Sequence, residues 1–155
     1  MSVKNTVKKQ YVQIVNSAAK QLASVRKPQE GWLLVLRKAL GMSGAQVAIR
    51  AGVSRNAIYQ AERNETDGAI TIKQMQKFAE AMGGRFVYAI VPENGAVSDI
   101  IQKQARRKAE DHIKRASAHM ALEKQSLTSK QTAQRIDDLA NELIRDMPAD
   151  FWEVK

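Results

Sequence analysis

Residues 43–63 hold the strongest constraint on how this chain folds. They read Ser-Gly-Ala-Gln-Val-Ala-Ile-Arg-Ala-Gly-Val-Ser-Arg-Asn-Ala-Ile-Tyr-Gln-Ala-Glu-Arg. Ser43 and Ser54 each stand before a short helical run, 44–51 and 55–63, and Gly52 lies between the runs. A serine oxygen in that place accepts one of the unpaired N–H groups of the first helical turn. Glycine takes the left-handed backbone that a tight turn between helices demands. Val47 and Ala48 face inward, and Ala48 is small where two helices must approach. Val53 and Ile58 fill the space between them. The second run is too polar for a core helix. Its outer face carries Arg55, Asn56, Tyr59 and Gln60. Two short helices joined by such a turn place the N-terminal residues of the second against base edges in a major groove.

The rest of the chain supplies the scaffold. Apolar residues at helical spacing predict a helix over 3–24, broken by Arg26-Lys27-Pro28-Gln29-Glu30-Gly31. A helix over 32–40 ends at Gly41, and one over 72–82 starts at Thr71 and stops at Gly83-Gly84. Residues 85–91 are β-branched and aromatic and form the single strand-like stretch. One strand cannot pair its own backbone groups, so Phe86, Val87, Tyr88 and Ile90 are candidates for pairing with a second copy. Long helices follow over 96–125 and 129–147, the second capped by Ser129 and ended by Pro148, with Phe151-Trp152 as an exposed-looking tail. The expected fold is therefore mainly all-α: a helix-turn-helix bundle with one short strand at about 85–91 and added terminal helices. Its divisions are an N-terminal extension (1–31), a DNA-binding domain (32–95) and a C-terminal extension (96–155).

Charge narrows the partners. The chain of 155 residues has 25 Lys and Arg against 16 Asp and Glu, a net +9. The excess lies early: residues 1–32 carry six basic side chains and one acidic, whereas residues 96–155 are nearly balanced. A basic balance suits a polyanion, because each neutralised phosphate releases condensed counterions. There are no cysteines, which excludes a disulfide scaffold and thiolate metal sites and fits a reducing, cytoplasmic setting. No apolar run approaches the roughly 20 residues that span a bilayer, and MSVKNTVKKQ does not read as a signal peptide.

Residue types then assign roles. Arg55 is suited to guanine O6 and N7, and Asn56 and Gln60 to adenine N6 and N7. Tyr59 is suited to a thymine methyl, a phosphate or packing. Ser43, Gln46, Ser54, Lys38, Arg50 and Arg63 are candidates for the DNA backbone, which positions a protein without specifying sequence. Lys4, Lys8 and Lys9 are candidates for a basic arm. Glu62 is expected to tie its helix to Arg37 or a nearby backbone, since a carboxylate facing phosphates is repelled. His112 and His119 lie on one helix face but have no fixed carboxylate partner, so no metal site is expected. No nucleophile–base pair and no phosphate-cradling glycine loop is present, so neither catalysis nor a cofactor is expected.

Leu36-Arg37, Ser43, Ala48, Ala51-Gly52-Val53-Ser54, Ile58 and Glu62 together resemble the XRE-type (Cro/repressor) helix-turn-helix family. Gly44 stands where that family usually carries a glutamine, often on a phosphate. The flanks resemble the bacterial family called mobile mystery protein A. The residues that carry this likeness are Pro28 to Trp32, Asp67 to Thr71, Phe86 to Pro92, His119 to Glu123 and Leu139 to Trp152. Members are typically encoded beside a Fic-domain protein, which implies an antitoxin or operon regulator. One class of Fic inhibitors has Ser or Thr four residues before Glu-Gly or Glu-Asn. Here Glu30-Gly31 and Glu93-Asn94 have Arg26 and Ala89 at that place. Two functions follow as expectations: a homodimeric repressor of a palindromic double-stranded operator, or an antitoxin that clasps a Fic partner with its helical extensions.

Overall fold

The computed structural model describes residues 2–122 and 128–154, and all regular structure among them is helical. The elements are α1 (Val3–Leu22), α2 (Trp32–Ala39), α3 (Gly44–Ala51), α4 (Arg55–Asp67), α5 (Ile72–Ala81), α6 (Val97–Leu122) and α7 (Ser129–Asp146). Two compact units divide the chain. One is Leu22–Ala89. The other combines the N-terminal segment up to Gln21 with the chain from Ile90 onward.

Local chemistry sets the ends of the helices in the first unit. Ser43 Oγ accepts from Gln46 N at 3.2 Å, and Gln46 Oε1 accepts from Ser43 N at 2.8 Å. Two orphan N–H groups are thereby satisfied reciprocally. Thr71 and Gln74 repeat the arrangement at α5, and Ser54 Oγ accepts from Ala57 N at α4. Gly52 closes α3 with φ 68° and ψ 35°, which lets Val53 N donate back to Ala48 O at 3.0 Å. The turn directs Leu33, Val47, Ala48, Ile58, Ala61, Met75, Phe78 and Met82 into one core, with Val53, Ile70 and Phe86 packed against it. α4 continues past Arg63 to Asp67 and ends at Gly68.

The second unit has a core of small residues around one large ring. Ala105, Ala109, Ala140 and Phe151 are buried there, ringed by Ile101, Ile136, Leu139, Leu143, Ile144 and Met147. Alanines on α6 and α7 leave the space that Phe151 fills. Phe151 is 0% exposed, which corrects the expectation of a free aromatic tail; Trp152, at 53%, does face solvent. Gln104 Nε2 donates to Phe151 O at 2.7 Å, and Lys108 Nζ donates to Asp150 O. Asn16 Oδ1 accepts from Val97 N at 2.9 Å and ties α1 to the start of α6.

Two further expectations are corrected. α7 is capped by Thr128 rather than Ser129, because only Thr128 has a glutamine three residues on to complete the reciprocal pair. The strand at 85–91 is absent: those residues are neither helix nor strand, and no strand occurs among the described residues. A ladder needs a neighbouring edge, and the described residues offer none. Phe86 instead packs on the helical core and stacks on Tyr88, ring centroids 5.5 Å apart, while Val87 and Ile90 are exposed. The helix expected over 96–125 is observed to Leu122. Its remaining residues, and Glu123 of the His119–Glu123 match, lie outside the described residues.

Candidate nucleic-acid interface

α4 buries one face, Ile58, Ala61, Glu62 and Glu65, at the spacing of one helical stripe. Both of its interior carboxylates are therefore turned away from solvent. Glu62 holds Arg37 in a two-point contact, Nε to Oε1 at 2.5 Å and Nη2 to Oε2 at 3.2 Å. Arg37 Nη1 also donates to Met42 O at 3.2 Å. The hydrogen bond to Glu62 raises the Arg37 pKa above its ordinary value against the opposing pull of burial. The tie expected from the sequence between Glu62 and Arg37 is the one observed.

Glu65 has a role that the sequence reading missed. α2 begins after Gly31, which offers no side-chain cap and sits at φ 86°. Glu65 reaches across instead. Its carboxylate accepts from Trp32 N at 2.6 Å and Leu33 N at 2.9 Å, the first two N–H groups of α2. An anion there also complements the positive end of the helix dipole. The signal was legible in part: residues 58, 61, 62 and 65 share the apolar stripe, so a carboxylate at 65 had to find an inward partner. Glu65→Ala is expected to cost about 1–3 kcal/mol, because it leaves two N–H groups without an acceptor. Thermal denaturation checks this, with Glu65→Gln retaining part of the loss.

The opposite face of α4 carries the reading candidates. Arg55, Asn56, Gln60 and Arg63 are exposed, and Tyr59 is half-buried. Asn56 has no side-chain partner among the described residues. Gln60 is engaged at both ends of its amide: Arg63 Nη2 donates to its oxygen at 2.9 Å, and its nitrogen donates to Asn64 Oδ1 at 2.8 Å. No acid lies on this face before Asp67.

Around it stand the backbone candidates. Ser43 and Ser54 use an oxygen lone pair for capping, which leaves each hydroxyl proton free to donate outward. Gln46 spends its oxygen on Ser43 and keeps its amide N–H groups. Arg50 Nε donates to Ala81 O at 2.6 Å and so caps the end of α5, with its remaining N–H groups exposed. Lys38 is exposed in the last turn of α2. Lys4, Lys8 and Lys9 belong to the other unit, on α1, where Lys8 Nζ lies 3.5 Å from Met147 Sδ.

Two short helices joined through a left-handed glycine, the second with a buried acidic side and an exposed polar side, are now in place. Residues 33–88 match the helix-turn-helix family model. This segment is a helix-turn-helix domain. The match covers α2 to α5 and the start of the extended segment, and it leaves the terminal unit outside. No curated protein and no solved structure matches the chain. Within the helix-turn-helix domain, α3 is the first helix of the motif and α4 the second.

Among the described residues no group of three His, Cys, Asp or Glu is placed to hold a metal ion, and no helix is long and apolar enough to cross a membrane. His112 is exposed and lines a groove of about 280 Å³ between α6, α7 and the residues after Pro148.

Proposed function

We propose that this protein is a sequence-specific transcriptional regulator that inserts α4 into the major groove of double-stranded DNA. The observation that carries this reading is the division of α4 into two faces. Glu62 and Glu65 are 7% and 6% exposed and spent on internal contacts, so the outward face presents donors and amides without a competing carboxylate. Arg55, Asn56 and Gln60 face the bases in this reading, with the half-buried Tyr59 beside Arg55. Ser43, Gln46, Ser54, Lys38, Arg50 and Arg63 hold the phosphates. The protein acts by binding, without catalysis or cofactor, in the cytoplasm.

The segment 85–91 supports a homodimer. Val87, Tyr88 and Ile90 are exposed, and their backbone is not engaged in a ladder. A second copy pairing there through Phe86, Val87, Tyr88 and Ile90 would supply one, and a two-fold pair of α4 helices calls for a palindromic operator with half-sites about 34–36 Å apart. Asn56→Ala is expected to weaken binding to the preferred duplex by about 1–3 kcal/mol, roughly five- to 150-fold, and to relax preference at one base pair. Equal binding of wild type and variant to every duplex would contradict the assignment.

The terminal unit supports a second role. It lies outside the helix-turn-helix match and exposes Trp152. Together with the resemblance to mobile mystery protein A, this supports an antitoxin that binds a Fic-domain toxin through the terminal helices and represses its own operon. Coexpression with a Fic-domain protein encoded beside its gene is the test. Relief of toxicity with copurification is expected; undiminished toxicity without copurification would sink this part of the reading.

A further inference from the structure

Tyr59 occupies the place that a side chain at position 44 would need. A Cβ on Gly44 would lie 2.6 Å from Tyr59 Cζ and 2.7 Å from its hydroxyl oxygen. Two guanidiniums lie over the same ring, Arg37 with Cζ 5.7 Å from the centroid and Arg55 at 5.6 Å. Arg37 is fixed in turn by Glu62 and by Met42 O. The ring is thus seated by a missing side chain and a held cation, and the exposed Arg55 rests on it.

Building on the DNA-binding reading above, we propose that Tyr59 is a positioning residue: a platform that orders Arg55 for base recognition, with Gly44 making the room for it. Stacking uses the flat face of a guanidinium and leaves its in-plane N–H groups free. A two-point contact to guanine O6 and N7 uses those N–H edges. The two interactions are therefore compatible in one pose. An arginine already ordered in the free protein also loses less rotamer freedom on binding.

The test takes a fluorescent duplex selected by the wild-type protein from a randomised pool, together with its single-base-pair substitutions. Anisotropy titrations with Arg55→Ala identify the pair that this arginine reads. Tyr59→Leu is expected to reduce discrimination at that pair by about three- to tenfold, the scale of one side chain's ordering, and to leave the other positions unchanged. Gly44→Ala, which unseats the ring, is expected to do the same, and Tyr59→Phe to keep wild-type discrimination. In the free protein, the NMR order of the Arg55 Nε–H bond is expected to fall with Tyr59→Leu and to hold with Tyr59→Phe. Wild-type discrimination at that pair in Tyr59→Leu, or equal loss for every duplex, would overturn the proposal alone. So would an Arg55→Ala profile that matches wild type throughout. A wild-type protein that selects no sequence would overturn the DNA reading along with it.

Discussion

Replacing Glu62 with alanine is expected to lower stability by about 3–5 kcal/mol, the scale for breaking a buried ion pair from one side. The side chains of Arg37 and Glu62 are 11% and 9% exposed, so the pair is buried and the surface-pair scale of about 0–1 kcal/mol does not govern it. The loss comes chiefly from stranding the Arg37 charge, which is held above its ordinary pKa by the hydrogen bond that the substitution removes. The double replacement Arg37→Met with Glu62→Leu is therefore expected to recover most of the loss, since no unpaired charge remains. Urea denaturation followed by circular dichroism checks both variants. A Glu62→Ala midpoint equal to that of wild type would show that water solvates Arg37 more freely than its burial implies.

Phe151→Ala is expected to cost about 3–5 kcal/mol, as for other fully buried rings. Among the described residues Phe151 is fully buried, and small alanines wall it on α6 and α7. Those alanines cannot reach into the hole, and only the surrounding Ile101, Ile136, Leu139, Leu143, Ile144 and Met147 could relax toward it. Trp152 packs edge-on against the ring, with centroids 4.8 Å apart, and reports on its loss. With Trp32→Phe as background, Trp152 is the single indole of the chain, and its fluorescence follows this unit through denaturation. An unshifted transition would mean that the chain end is a loose appendage, as its sequence had implied.

The contrast between these two sites shows what the sequence makes legible. The α3–α4 pair could be read because its determinants are local: serines before each helix, a glycine at the turn, and an apolar stripe of period 3.6. The partnership of Glu62 with Arg37 could be read because a carboxylate beside phosphates needs another purpose. Glu65 was harder, since its targets Trp32 N and Leu33 N lie 33 and 32 residues away, and no local pattern announces a helix capped by a different helix. The end of α4 was placed early because Asn64, Glu65, Thr66 and Asp67 lack apolar periodicity. Phe151 follows a proline near the chain end and reads as free; its burial depends on voids left by Ala105, Ala109 and Ala140. The strand at 85–91 has the right residues, but a ladder is a property of two edges. Tyr59 could not be placed without knowing that Gly44 leaves the slot it fills.

The central claim is that α4 reads sequence. Its most direct measurement is fluorescence anisotropy of the full-length protein with the DNA upstream of its own gene, against a shuffled duplex of equal length, at near-physiological salt. Binding to the native fragment at least about a thousandfold tighter, in the range of specific recognition, is the result that this account requires. Equal, weak and steeply salt-dependent binding to both duplexes would contradict it, leaving the net positive charge alone to attract DNA.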